Sequence, residues 1–204
     1  ASPNFLHEEQ SILCMKHGKH VLCEIPFASN AWEVREMIAA SAKYDVTLME
    51  AMKPTLTPNF RSVRENLGRL GTIRRYFSCY CQYSSRYDKF KEGVELNAFR
   101  PELSTEIQGE VGNITLDCIN IIGEVKYSPR LAAASGRGPS AEAQDISVVT
   151  DKDEYYYEVA EFIDLVLSGK RQSGINSHEH SLITLEIIDE VRRQLGIRYP
   201  ADRY

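Results

Sequence analysis

The chain has 204 residues, 43% hydrophobic and 26% charged, an ordinary globular balance far from the composition of disordered chains. A net charge of −5 argues against a nucleic-acid binder, whose basic face must meet phosphates; the short cluster Arg69, Arg74 and Arg75 reads as a solvated turn. No apolar run approaches the ~20 residues that a membrane span requires.

In chain order, residues 8–17 place Ile12, Leu13 and Met15 at helical spacing, with Gly18 as the stop. His20–Glu24 is a short apolar run suited to a buried strand, ended by Pro26. Ser29 or Asn30 can cap the next helix, whose expected buried side is Trp32, Val34, Met37, Ile38 and Ala42. Val46–Glu50 reads as a second buried strand. Strand, helix and strand at this spacing form a βαβ unit, which requires parallel strands.

After Pro54 the pattern changes. Phe60, Val63 and Leu67 predict a helix over 58–68, closed by Leu70 and Gly71. Residues 73–83 are aromatic-rich and predict a strand, and 84–103 are polar and irregular. Strands are expected over 105–111, 114–118 and 121–127, with Gly112-Asn113 as a tight turn. Residues 128–144 read as a loop, and 146–149 as one more strand.

Two helices follow. The first covers 154–168, combining Tyr157, Ala160, Ile163, Leu165 and Leu167 with acids at its start and Gly169 at its end. The second covers 178–195, with Ser177 as cap and Leu182, Leu185, Ile188, Val191 and Leu195 on one side. Of Tyr155, Tyr156 and Tyr157, at least one must pack inward, since consecutive helical positions face different ways. The pattern splits near residue 53. The expected class is α/β: a partial Rossmann-like parallel layer over 1–53, then an α+β domain over 54–204 with a mostly antiparallel open sheet.

Five cysteines (Cys14, Cys23, Cys79, Cys81, Cys118) form no CxxC, and an odd number cannot all pair. They are expected as reduced thiols in a cytoplasmic protein with no metal site. The opening residues 1–9 have neither the basic region nor the apolar core of a signal peptide. His178-Glu179-His180 is not a zinc motif, because i and i+2 on a helix point about 200° apart; a capping, solvated role is expected.

Several segments together resemble the Gfo/Idh/MocA family of NAD(P)-dependent oxidoreductases. Ser2-Pro3-Asn4 with His7 resembles the family's Thr-Pro-Asn…His loop. Residues 18–26 (Gly-Lys-His-Val-Leu-Cys-Glu-Ile-Pro) resemble its Gly-Lys-His-Val-Leu-Cys-Glu-Lys-Pro signature. Met49-Glu50-Ala51 resembles a strand end, Gly109…Gly112-Asn113-Ile114 the strand–turn of the C-terminal sheet, and Ser177–Ser181 the start of the last long helix.

The resemblance implies a nucleotide domain that binds NAD or NADP, with Ser2, Pro3, Asn4, His7, Glu24, Ile25 and Pro26 on the cofactor side. It implies a second domain that forms the substrate wall and a homo-oligomer face. It also implies hydride transfer on a sugar, polyol or dihydrodiol-like alcohol.

Three departures stand beside this. The 204 residues contain no Gly-x-Gly-x-x-Gly, the loop that cradles the pyrophosphate and that family chains carry upstream of the position matching Ser2. The motif lysine is Ile25, which cannot donate a proton; loss of a placed acid/base group typically costs ~10²–10⁴-fold. Lys53, at the next strand end, is a candidate replacement donor. Residues 103–107 join two stretches that lie far apart in the family, where the segment carrying the catalytic Asp and His or Tyr normally intervenes. The departures leave open a second reading, a catalytically inactive remnant that serves as an oligomerising or binding module. Half a Rossmann sheet would expose a strand edge and an apolar face, so association is expected.

Overall fold

The computed structural model describes residues 2–80, 103–130 and 142–202. The expectations for Cys81, Tyr83, 84–102 and 131–141 lie outside them. The chain divides into two compact units, one of residues 1–56 with 152–204 and one of residues 57–151. Residues 152–204, grouped with the second domain on sequence grounds, therefore pack into the first unit.

The first unit contains α1 (His7–Lys16), β1 (Val21–Cys23), α2 (Ala31–Tyr44), β2 (Leu48–Glu50), α4 (Glu154–Leu167) and α5 (His178–Leu195). β1 and β2 pair in parallel, Val21 with Leu48 and Cys23 with Glu50, as the βαβ reading requires. Asn30, rather than Ser29, caps α2, its side-chain oxygen accepting from Glu33 N at 2.9 Å.

The buried face of α2 is Ala31, Val34, Met37, Ala40 and Ser41; Trp32 and Ile38 are half-buried, and Ala42 is exposed. Val34 and Met37 are thus buried as expected, while the edges of the stripe are set by Ala31, Ala40 and Ser41 in place of Trp32, Ile38 and Ala42. Met15, Phe27, Val34, Met37, Leu48 and Leu185 form the core on one side of the strands. Met49, Leu56 and Leu165, with Leu22, Tyr157 and Phe162 beside them, form it on the other. Tyr157 is the member of the tyrosine run that packs inward, and Tyr155 and Tyr156 are exposed.

The helix α5 differs most from its pattern. Only Leu185 of its expected apolar side is buried, with Leu182 half-buried, while Ile188, Val191 and Leu195 are exposed. Its inner face is His178, Ser181, Leu185 and Arg192. Polar contacts decide this orientation: Ser181 Oγ donates to Glu50, and Asp189 accepts from Ala31 N at 2.8 Å. On α4, Leu165 is buried as expected, but Ile163 and Leu167 are exposed and the acid Glu158 takes the inner position beside it.

In the second unit, α3 (Pro58–Asn66), capped by Thr57, runs into a 3-10 turn over Leu67–Leu70. Five antiparallel strands follow in the order β3 (Ile73–Ser78), β4 (Thr105–Gly109), β5 (Gly112–Leu116), β6 (Val125–Pro129) and β7 (Gln144–Asp145). The last strand ends where 146–149 was expected to begin it. Ile107 sits opposite Ile114, and Ile114 opposite Tyr127, so one face of the sheet carries the core with Val63 and Leu70.

The turn between β4 and β5 is Glu110-Val111, and Gly112-Asn113 belongs to β5. Both glycines answer to close approach. A side chain at Gly109 would stand 2.2 Å from the Leu70 carbonyl oxygen, and one at Gly112 would stand 2.8 Å from the Tyr127 ring. The spacing Gly-x-x-Gly thus records a backbone below one end of the turn and an aromatic ring beside the other.

Candidate functional site

The C-terminal end of β1 organises the site within the first unit. His7, placed on the cofactor side by the resemblance, is buried and joins two loops. Its Nδ1 lies 2.9 Å from the Pro26 carbonyl oxygen and its Nε2 3.1 Å from that of Ser2. Pro3 and Asn4 from the first loop, and Glu24, Ile25 and Pro26 from the second, are all exposed, with Ser2 half-buried. The seven residues expected on the cofactor side thus form one rim at the carboxyl end of a parallel strand, where open α/β sheets bind ligands. His7 holds that rim in place and does not face out from it.

The rim is anchored from below by Glu50. Its carboxylate accepts from Phe27 N at 3.2 Å and from Ser181 Oγ, tying the loop after Pro26 to β2 and α5. Burial pushes the Glu50 carboxyl above its usual range, and the Ser181 hydrogen bond opposes it. Cys23, buried at the strand end, is pushed up to about 11 by burial, so its thiol is inert at neutral pH.

Lys53 is engaged. Its Nζ donates to Glu154 Oε1 at 2.8 Å and lies 4.0 Å from the centre of the Tyr155 ring. The Glu154 carboxylate holds Lys53 above its ordinary value, in its charged form. Ile25, at the motif-lysine position, is 47% exposed. No group of three or more His, Cys, Asp or Glu able to hold a metal lies among the described residues. His178, expected in solvent, is instead buried, with Nε2 2.8 Å from the Leu48 carbonyl oxygen. It fastens α5 to β2, and burial lowers its pKa.

Sequence reasoning missed Glu158. It is 4% exposed, one turn beyond Glu154, and its Oε2 has no partner among the described residues. Burial raises its pKa, the Glu24 charge raises it further, and Lys53 opposes both. The signal was present: Glu158 and Leu165 are seven apart on one helical stripe, so an acid stood among apolar positions.

A carboxyl with a raised folded-state pKa keeps its proton where the unfolded chain has lost it. Its contribution to stability is therefore present at low pH and disappears as pH rises through the raised value. The variant Glu158→Gln should gain stability over the parent as pH rises from 4 to 8, as read by thermal melts across that range. A difference between the two that does not change with pH would contradict this.

Comparisons with known proteins bear on the family and the fold. A family profile described as "Oxidoreductase family, NAD-binding Rossmann fold" (Gfo/Idh/MocA) matches residues 1–52. The scyllo-inositol 2-dehydrogenase (NADP(+)) IolU of Bacillus subtilis is 38% identical, with 100% of this chain and 79% of that protein covered. That alignment occupies 267 positions against 204 residues here, so the relative carries internal stretches that this chain lacks.

The trans-1,2-dihydrobenzene-1,2-diol dehydrogenase of Xenopus laevis is 26% identical over 96% of this chain and 77% of its own length. Among solved structures, the 3-ketoreductase KijD10 of Actinomadura kijaniata shares the fold with a TM-score of 0.72 at 16% identity. The match covers 94% of this chain and 75% of that one. No helix among the described residues is long and apolar enough to cross a membrane.

Proposed function

We propose that this chain, which belongs to the Gfo/Idh/MocA family of oxidoreductases, binds the nicotinamide end of NAD or NADP on the rim formed by Ser2–Asn4 and Glu24–Pro26. In this reading it oxidises a secondary alcohol on a sugar, polyol or dihydrodiol-like ring. The observation that carries the reading is the rim itself, two exposed loops fixed to each other through buried His7 at the end of a parallel strand. The exposed Asn4 amide and Glu24 carboxylate suit a carboxamide and ribose hydroxyls, uncharged groups that need directed donors and acceptors.

A bound nicotinamide would supply the hydride acceptor. The chain's own part is to orient that ring against the strand end and to keep the rim rigid through Glu50 and His7. The proton released from the alcohol has no lysine to meet at position 25, and Lys53 is already paired with Glu154. Those two facts favour a second reading, a non-catalytic binding or oligomerising module.

An assay separates the two. The purified chain is incubated with NAD⁺ or NADP⁺ and a panel of inositols, aldoses and trans-dihydrodiols, and absorbance at 340 nm is followed. The first reading expects turnover with at least one ring alcohol. Absence of turnover across the panel, with an intact fold by circular dichroism, selects the second.

Under either reading we propose self-association through the five-stranded sheet, whose strand β3 exposes Ile73, Tyr76 and Phe77. Sedimentation velocity should show a species heavier than the 23.2 kDa chain. A compact, stable monomer at micromolar concentration would count against it.

A further inference from the structure

The first unit carries a cleft of about 720 Å³ lined by Asn4, Phe5, Ser29, Tyr199, Pro200 and Ala201. That volume lies within the range of small-molecule sites. Its chemistry is specific in what it offers and what it omits. Phe5 is 64% exposed, presenting a phenyl ring to solvent, and Tyr199 supplies a second ring. The Tyr199 ring is preset, because the Arg192 guanidinium lies 4.1 Å from its centre and Asp202 accepts from Tyr199 N at 2.7 Å. Arg192 is itself held by Asp189 and Asp202. A wall fixed before binding loses little entropy when a ligand arrives.

The polar side chains among the described lining residues are neutral: the Asn4 amide, the Ser29 hydroxyl and the Tyr199 phenol. The Asn4 amide is exposed, and the Ser29 hydroxyl is buried with no partner among the described residues. An orphaned buried hydroxyl is costly, and a ligand hydroxyl in this cleft would give it a partner. Among the described residues no charged side chain lines the cleft, a lining that suits a neutral ligand. A fully hydroxylated ring would set several of its hydroxyls against the carbon surfaces of Phe5, Pro200 and the Tyr199 ring.

We propose that this cleft is a binding site for a flat aromatic ring bearing one or two hydroxyl groups. The ring packs against Phe5 and Tyr199, and the hydroxyls pair with Ser29 Oγ and the Asn4 amide. The site goes beyond the cofactor rim, with which it shares only Asn4, and it needs no nucleotide.

The test is isothermal titration of the whole chain with catechol and, separately, with myo-inositol, both without NAD(P). Catechol is expected to bind saturably and at least ~10-fold more tightly than myo-inositol. Ser29→Ala should weaken catechol about 5–10-fold through the lost hydrogen bond. Phe5→Ala, at an exposed position where folding is not at stake, should weaken it about 2–10-fold through the lost ring contact. No catechol binding by a folded chain, equal binding of the two probes, or unchanged affinity in both variants would each overturn the proposal. Any of those results leaves the hydride-transfer reading standing, because that reading is measured with nucleotide at the rim.

Discussion

Replacing Asp202 with alanine should destabilise the first unit by about 3–5 kcal/mol, the usual cost of removing one partner from a buried ion pair. Asp202 accepts from Arg192 Nη1 and Nη2 at 3.0 Å each, and the two side chains are 2% and 6% exposed. The same carboxylate accepts from Tyr199 N and, at 3.3 Å, from Asn30 Nδ2. One side chain thus joins the segment after α5 to the cap of α2. Its loss leaves the guanidinium with Asp189 alone, and Arg192 Nε already lacks a partner among the described residues.

Urea denaturation followed by far-UV circular dichroism measures the effect. A loss below about 1 kcal/mol would mean that the pair behaves as a surface bridge, contrary to its burial. Arg192→Met tests the same point from the other side, since it leaves Asp202 buried without its cation.

Gly109→Ala should be nearly as damaging, and for a steric reason. The added methyl would stand 2.2 Å from the Leu70 carbonyl oxygen and 2.6 Å from Leu70 Cβ. That carbonyl accepts from Val111 N at 3.1 Å, so it cannot move away without breaking the turn between β4 and β5. Overpacking of this kind costs about 1–3 kcal/mol, and a backbone neighbour places Gly109 at the upper end. At Gly112 the obstacle is the Tyr127 ring, so Gly112→Ala combined with Tyr127→Phe relieves only the contact to the hydroxyl, and Tyr127→Leu should relieve more. Paired thermal melts decide it. If Gly109→Ala melts with the parent, the close approach is not what requires glycine there.

Those glycines show how the sequence was legible and where it was not. The Gly-x-x-Gly spacing was visible, but its cause was not, because Leu70 and Tyr127 approach from distant parts of the chain. The parallel βαβ unit was readable because strand and helix periods alternate within 31 residues, from His20 to Glu50. The orientation of α5 was not, because hydropathy ranks Ile188 and Val191 above Ser181 and Arg192. Only the tertiary partners Glu50 and Asp202 make the polar face the inner one.

His7 and His178 escaped for the same reason. Each is held by carbonyl oxygens many residues away, which no local spacing records. The rim residues were found through a motif that carries loop chemistry in a few adjacent positions. Glu158 left a local trace, an acid seven residues before Leu165 on the buried stripe, whereas the Tyr199 cleft joins residues more than a hundred positions apart and no short pattern points to it.

The central claim is that the rim at the end of β1 holds the nicotinamide end of the cofactor. Fluorescence titration of the whole chain with NADPH, alongside Asn4→Ala, tests it most directly. The account predicts saturable binding by the parent and an affinity about 5–10-fold lower in Asn4→Ala, the value of one directed hydrogen bond. Unchanged melting temperature in the variant would place the loss in binding. No saturable binding by a folded parent chain, or equal affinity in the variant, would contradict it.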